Sequence, residues 1–173
     1  MKYLFVVLLS LSLSTIGFSQ GCKSEKDAFT GEDVVSYSHA SQVFFYDYKD
    51  GKVFMRMQLN YNGVKKKTIS KEAKFMLKFK DNTIVSLHTI QDASPTPDAT
   101  TETLMTHYMF KFELTNEQLE QFAKSKLTLL RYPGIEEEYK DLDFTKLFTR
   151  KYATKFIEGA KCILEHRPKG NKL

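Results

Sequence analysis

Tryptophan is absent from this sequence of 173 residues, cysteine occurs twice and proline four times. Together with only eight glycines, this composition excludes collagen-like and low-complexity chains, which are rich in proline and glycine. Beyond residue 20, the chain has no apolar run near the ~20 residues that a membrane-spanning helix needs. What remains is an ordinary globular composition, with 13% aromatic and 27% charged residues.

Several motifs of catalytic and nucleotide-binding proteins are also missing. The sequence contains no Gly-x-Ser-x-Gly elbow, no glycine-rich phosphate loop and no Cys-x-x-Cys pair. Neither cysteine has neighbours that would activate it as a nucleophile. From the motifs we therefore predict no catalytic residue and no cofactor.

The first 20 residues have the three zones of a secretory signal peptide. Lys2 supplies a positive charge, residues 4–13 are apolar except for two serines, and residues 14–20 are mostly small or polar. At 1.5 Å per residue, about ten apolar residues are too few to cross ~30 Å of hydrocarbon, which argues against a retained membrane anchor. We predict a signal peptide at 1–20, one secreted or periplasmic domain at 21–166, and a flexible tail at 167–173.

The two cysteines, Cys22 and Cys162, lie at opposite ends of the predicted domain. An even number of cysteines in an exported protein favours a disulfide, for which the chain-entropy model allows roughly 4 to 5 kcal/mol. The alternative is a lipoprotein anchored to the cell envelope through Cys22. Gly21 fits the small residue that precedes a lipidated cysteine, but Ser19 stands where leucine is expected. The two alternatives exclude each other, because a thioether-linked Cys22 cannot form a disulfide.

The middle of the chain alternates apolar and polar residues with the period of a β-strand. The clearest example is 53–60, where Val53, Met55, Met57 and Leu59 are expected to face the core. Residues 64–70 contain so many lysines that their pattern assigns no secondary structure. Residues 91–101, with two prolines, are predicted to form an exposed loop. We predict strands at 34–37, 42–48, 53–60, 73–80, 83–90, 102–114 and 126–132, with turns at 50–51, 62–63, 81–82 and 133–134.

Two helices complete the predicted fold. Thr115 and Gln118 have the spacing of a capping box, which predicts a short helix to about Lys124. From Asp143 onward, apolar residues recur every three or four positions, which predicts a long helix that carries Cys162. The fold class is therefore α+β, an antiparallel meander of about six to eight strands with a short helix and a long C-terminal helix packed on it.

Several segments carry a resemblance to known proteins. They are Cys22 followed by Asp-Ala-Phe-Thr-Gly at 27–31, the helix entry Leu-Thr-Asn-Glu-Gln-Leu at 114–119, Leu-Thr-Leu-Leu-Arg at 127–131, and Gly-Ala-Lys-Cys at 159–162. In these segments the chain resembles a group of small exported bacterial proteins of uncharacterised function. The resemblance implies export and a sheet-plus-helix fold, and it transfers no catalytic residue.

Two histidines offer a candidate metal site. Alternation places His88 and His107 on predicted strands, so the two would share a sheet face if those strands pair. Two imidazoles and a carboxylate can hold zinc, which gives the alternative function of a metal-assisted hydrolase using His88, His107 and an acidic residue. Unrelated exposed histidines are the simpler interpretation, because no His-x-x-x-His spacing fixes them. The acidic residues between 136 and 143 are likewise explained by a solvated strand and by the acidic first turn of the last helix, with a calcium site or carboxylate pair as the alternative.

Basic charge points to a different kind of partner. The formal net charge is +5, and it falls to +4 when Lys2 leaves with the signal. Such charge attracts anionic polymers or lipid head groups, whereas lysines on a strand also prevent association between sheet edges. The candidate anion-binding patch consists of Lys65, Lys66, Lys67, Lys74 and Lys78.

The function we predict is an exported, non-catalytic binding or interaction domain. It would present the outer face of its sheet, or the 91–101 loop, to a protein or envelope component, with an apolar patch that includes Met76, Met105 and Met109. We expect no nucleic acid partner, because exported proteins rarely meet one, and membrane contact only if the first cysteine is lipidated.

Overall fold

A computed structural model describes residues 21–39, 43–98 and 104–168, which form ten strands and two helices. The predicted signal peptide, Gln42, residues 99–103 and the tail from 169 onward lie outside this part of the chain. One sheet contains β1 (Gly21–Lys26), β2 (Asp33–Ser38), β3 (Phe44–Lys49), β4 (Lys52–Asn62), β7 (Thr96–Asp98) and β8 (Met105–Leu114). The other contains β5 (Lys74–Phe79), β6 (Ile84–His88), β9 (Leu127–Pro133) and β10 (Tyr139–Asp143).

Both sheets are antiparallel throughout. The strand order is β1-β2-β3-β4-β8-β7 in the six-stranded sheet and β10-β9-β5-β6 in the four-stranded sheet. The predicted hairpin turn between β3 and β4 is confirmed, with Asp50 at φ 53° and Gly51 at φ 75°. Positive φ at both central residues gives the turn the twist that adjacent strands require.

The core lies between the inner faces of the two sheets. The predicted core residues of β4 are all buried, which confirms the alternation read from the sequence. Phe75 of β5 packs edge-on against Phe110 and Phe112 of β8, with ring centroids 4.8 and 5.0 Å apart. Ile69 and Ala93 form a β-bridge beside this core, in the connections that carry the chain between the sheets.

The two helices pack against each other, and the longer one also lies against β1, β2 and β3 of the six-stranded sheet. α1 (Asn116–Lys124) begins at the predicted capping box, in which Thr115 and Gln118 exchange side-chain to backbone hydrogen bonds. α2 (Arg150–His166) packs on β2 and β3, and its Phe156 ring lies 5.0 Å from Phe44. Within the described ranges, no helix has both the length and the apolar character that crossing a membrane requires.

The α+β class with antiparallel strands is confirmed, but the described strands form two sheets rather than one meander, because β4 pairs with β8 and β5 pairs with β9. The described residues form ten strands rather than six to eight, because β1, β7 and β10 were not predicted. β7 lies inside the segment 91–101 that was predicted to be a loop. Pro97 can occupy β7 because this strand is at the sheet edge, where a missing N–H breaks no ladder.

The long helix begins at Arg150 rather than near Asp143. The Asp143 carboxylate accepts hydrogen bonds from the backbone N–H and the hydroxyl of Thr145, at 2.8 and 2.6 Å, which folds this segment into a turn. Leu147 and Phe148, which were placed on the buried face of the helix, are 80% and 84% exposed.

Candidate functional site

The structure places the predicted anion-binding lysines in two locations. Lys74 and Lys78 lie on β5, whereas residues 65–67 lie in the connection between β4 and β5. Lys65 forms an ion pair with Glu136, with Nζ 2.5 Å from Oε1, and this hydrogen bond lowers the pKa of the Glu136 carboxyl. The charge of Lys65 is thus compensated within the protein. Lys66 and Lys67 are exposed in the connection, and Lys74 and Lys78 are exposed on β5.

Lys74 and Lys78 belong to the outer face of the four-stranded sheet. The alternate residues of β5, Phe75, Leu77 and Phe79, are buried, so the lysines point away from the core. Residues directly opposite each other on paired strands share a face, so the strand register gives the rest of this surface. We call it the basic face, and its members are Lys74, Met76, Lys78, Ile84, Ser86, His88, Leu129, Arg131, Pro133, Tyr139, Asp141 and Asp143.

The charges of the basic face are only partly compensated. Arg131 forms a two-pronged ion pair with Asp141, at 2.7 and 2.8 Å, and these hydrogen bonds lower the pKa of the Asp141 carboxyl. Among the described residues, no carboxylate oxygen comes within 4.0 Å of the ammonium group of Lys74 or Lys78. Because a strand advances about 3.3 Å per residue, the Cα atoms of these two lysines stand about 13 Å apart along β5.

Apolar side chains accompany the lysines on this face. Met76 is half-buried between them, and Ile84, opposite Lys78, is 62% exposed. The predicted apolar patch of three methionines is not one surface, because Met105 and Met109 are half-buried on the outer face of the six-stranded sheet. That partial burial also explains why two methionines alternate with core residues along β8, whose register with β4 is unbroken.

The outer face of the six-stranded sheet is charged as well, but its cations have partners within the protein. The Arg56 guanidinium forms an ion pair with Asp47 at 2.9 Å and lies over the Phe45 ring, 5.2 Å from its centroid. The Lys111 ammonium lies 4.4 Å from the centroid of the Phe54 ring. Most of these side chains line a surface cleft of about 520 Å³. The cleft is thus lined by cations that are already engaged.

The two candidate zinc-binding histidines lie in different sheets. β6, which carries His88, pairs only with β5 among the described strands, and β8, which carries His107, pairs with β4 and β7. The strand pairing on which the metal site depended is therefore wrong. His88 is exposed, while the His107 ring lies 2.8 Å from a carboxylate oxygen of Asp98 and 2.6 Å from the amide oxygen of Asn60.

The acidic segment between 136 and 143 is held by cations and by local hydrogen bonds. Besides the two ion pairs already described, Glu137 pairs with Lys140 at 3.3 Å. Asp143 accepts hydrogen bonds from Thr145, which lower the pKa of its carboxyl. These contacts agree with the interpretation of 139–143 as a solvated strand. The predicted acidic first turn of the long helix is wrong, because α2 begins at Arg150 and has no acidic residue in its first turn.

The predicted disulfide between Cys22 and Cys162 is present, with the Cα atoms 5.5 Å apart. It ties β1, at the edge of the six-stranded sheet, to the last turns of α2. Lipid attachment at Cys22 would need the sulfur atom that this bond uses, so the two alternatives remain mutually exclusive.

Comparison of the chain with protein-family models, curated proteins and solved structures finds no match. The resemblance to small exported bacterial proteins therefore stays a prediction. Two members of the basic face, Ile84 and Arg131, were not singled out from the sequence. The alternation of apolar and polar residues within the predicted strands 83–90 and 126–132 is enough to assign both side chains to the outer face of the sheet.

Proposed function

We propose that this protein is an exported, non-catalytic binding domain whose basic face holds an anionic polymer of the cell envelope. The observation that carries the proposal is the contrast between the two outer sheet faces. On one, Arg56 and Lys111 are engaged by an acidic or aromatic side chain. On the other, Lys74 and Lys78 are exposed and have no carboxylate partner in the described chain.

Uncompensated lysines on an open sheet face favour an anionic ligand. Each lysine near an anionic surface contributes about 1 kcal/mol to attraction, and this attraction is not opposed by an internal ion pair that must first break. The Cα spacing of about 13 Å along one strand suits a chain that repeats its negative charge. Met76 and Ile84 add apolar area beside the cations, which supports contact with the backbone of such a polymer.

Export is supported by the disulfide that joins the two ends of the described domain. Disulfides that persist are typical of oxidising compartments. The predicted signal peptide at 1–20 points in the same direction. Both features favour a location in which the basic face would meet envelope polymers rather than nucleic acid.

The binding proposal is tested with polyphosphate and polyglutamate, titrated into the oxidised protein at several salt concentrations. The variant Lys74→Gln with Lys78→Gln removes the two lysines of the basic face, neither of which has a carboxylate partner in the described chain. At about 1 kcal/mol per lysine, we expect affinity for at least one polymer to fall about thirtyfold, with a shallower dependence on salt.

The matched control is Lys124→Gln with Lys161→Gln, which removes the same charge from exposed positions on the two helices. We expect this control to lose much less affinity than the β5 variant. Equal losses in the two variants would reduce the effect to net charge. Unchanged binding in the β5 variant would assign the lysines to solubility and overturn the proposal.

Export and the state of the first cysteine are tested by the intact mass of the protein from its own host. Cleavage near Gly21, with a mass that rises by two hydrogens on reduction, is the expected result. A mass that includes a diacylglyceryl group on Cys22 would instead establish a lipid anchor. Retention of residues 1–20 would contradict export by a cleaved signal.

A further inference from the structure

Three side chains that commonly bind metals converge where β1 meets the end of α2. They are Cys22, Cys162 and His166. One potential ligand atom of each residue lies within 4.8 Å of those of the other two. Nδ1 of His166 lies 3.4 Å from Sγ of Cys22 and 3.0 Å from the carbonyl oxygen of Cys162.

The sequence builds this cluster from only two elements. Cys162 and His166 are four residues apart on α2, so they lie on the same helix face, one turn apart. Cys22 reaches them from β1, whose register is fixed by its pairing with β2. The disulfide holds the two cysteine Cα atoms 5.5 Å apart, so the ligands are already gathered before any metal arrives.

We propose that reduction of the disulfide by a dithiol converts this crosslink into a binding site for a thiophilic divalent cation, with Zn²⁺ as the expected metal. The dithiol supplies two electrons and two protons, the sulfur–sulfur bond breaks to give two cysteine thiols, and the reductant becomes a cyclic disulfide. Binding of Zn²⁺ then releases the two thiol protons, and both sulfurs coordinate as thiolates.

Two thiolates and one imidazole form a ligand set that zinc uses, with a fourth tetrahedral position left for water. With Zn–S bonds near 2.3 Å, a tetrahedral site needs the sulfurs about 3.8 Å apart, a separation that side-chain rotation provides at this Cα spacing. Cys162 is buried, so the packing around it restricts the movement of one ligand after reduction.

The position of the cluster also favours a cation. His166 is the last residue of α2, where the partial negative charge of the helix dipole stabilises positive charge and disfavours uncoordinated thiolates. The exposed imidazole can turn its Nδ1 from the Cys162 carbonyl toward a metal without disturbing the core. A metal site thus fits this helix end better than a dithiol that works as a free thiolate.

The test uses Co²⁺ alone, because it occupies tetrahedral zinc sites and gives thiolate charge-transfer bands in the near ultraviolet. We expect no such bands from the oxidised protein, and one equivalent of Co²⁺ bound by the reduced protein and displaced by Zn²⁺. His166→Ala is expected to weaken Co²⁺ binding at least tenfold, since even the removal of an outer-shell partner costs about 10- to 100-fold.

His88→Ala is the matched control, because it removes an exposed histidine from the other sheet, and it is expected to bind Co²⁺ as the unaltered protein does. Reduced protein without thiolate bands, or equal affinity in the His166 variant, would overturn the proposal. If reduction alone unfolds the chain, Zn²⁺ must restore the near-ultraviolet circular dichroism of the reduced protein but not that of a reduced Cys162→Ser variant. Failure of that rescue would equally refute the site.

Discussion

Replacing Gly159 by alanine tests how closely α2 approaches the six-stranded sheet. Gly159 is buried in α2, and a Cβ atom there would lie 2.3 Å from Cδ2 of Tyr46 and 2.8 Å from Cδ1 of Tyr37. Neither ring is free to move away. The Tyr37 hydroxyl donates a hydrogen bond to Glu158 at 3.0 Å, and the Tyr46 ring packs against Phe156 with centroids 6.0 Å apart.

Two opposing effects determine the result of this substitution. Alanine is favoured over glycine inside a helix by about 1 kcal/mol. Overpacking a tight core costs about 1 to 3 kcal/mol and occasionally more. A methyl group that overlaps two anchored rings belongs near the upper end of that cost, so we expect a net loss of about 1 to 2 kcal/mol in the free energy of unfolding, or roughly 2 to 8 °C in Tm.

Urea unfolding of the oxidised protein, followed by circular dichroism, measures the change for Gly159→Ala. The helix-propensity contribution is measured separately at Thr154, an exposed position of α2, by comparing Thr154→Ala with Thr154→Gly. If Gly159→Ala stabilises the protein by as much as that comparison predicts, α2 has room for a methyl group and the packing argument is refuted.

The remaining predictions concern a buried hydroxyl, a helix cap and the disulfide. Tyr46→Phe is expected to raise the free energy of unfolding by about 1 kcal/mol, because the buried Tyr46 hydroxyl has no hydrogen-bond partner in the described chain. Tyr108→Phe is expected to lower it by a similar amount, since the Tyr108 hydroxyl donates a 2.7 Å bond to a backbone carbonyl; urea midpoints that shift the same way in both variants would contradict this. Thr115→Ala removes one half of the capping box and should cost about 1 kcal/mol in urea unfolding, with no loss if α1 is held by packing alone. Reduction and alkylation of Cys22 and Cys162 should lower the free energy of unfolding by up to about 4 to 5 kcal/mol, and with it the Tm. An unchanged Tm would show that β1 and α2 stay packed together without the bond.

The interior strands of both sheets were predicted because burial imposes alternation on them. β4 and β8 each have one face in the core, where all buried residues but Thr106 are apolar, and the turn residues at 50–51 mark where the chain reverses. β5 is equally clear for the same reason. In such strands the local sequence and the tertiary environment agree, and the pattern alone is sufficient.

The three strands that were not predicted, β1, β7 and β10, all lie at sheet edges. β1 is exposed along nearly its whole length, so no core face required alternating apolar residues. β7 has only three residues and is identified by its pairing with β8 rather than by its composition. Edge strands form because a neighbour offers hydrogen-bonding groups, and this information lies in distant parts of the sequence.

Long-range structure also explains why the sequence identified candidate lysines but not which of them lack an acidic partner. Lys65 and Lys78 are equivalent in composition, yet Lys65 meets an acid 71 residues away while Lys78 faces outward on β5 without one in the described chain. Which charges are compensated depends on the strand register and on how the two sheets stack, and both are long-range properties. His166 is the opposite case, because its spacing of four residues from Cys162 was readable from the sequence, and only the position of Cys22 in space turned that spacing into a cluster.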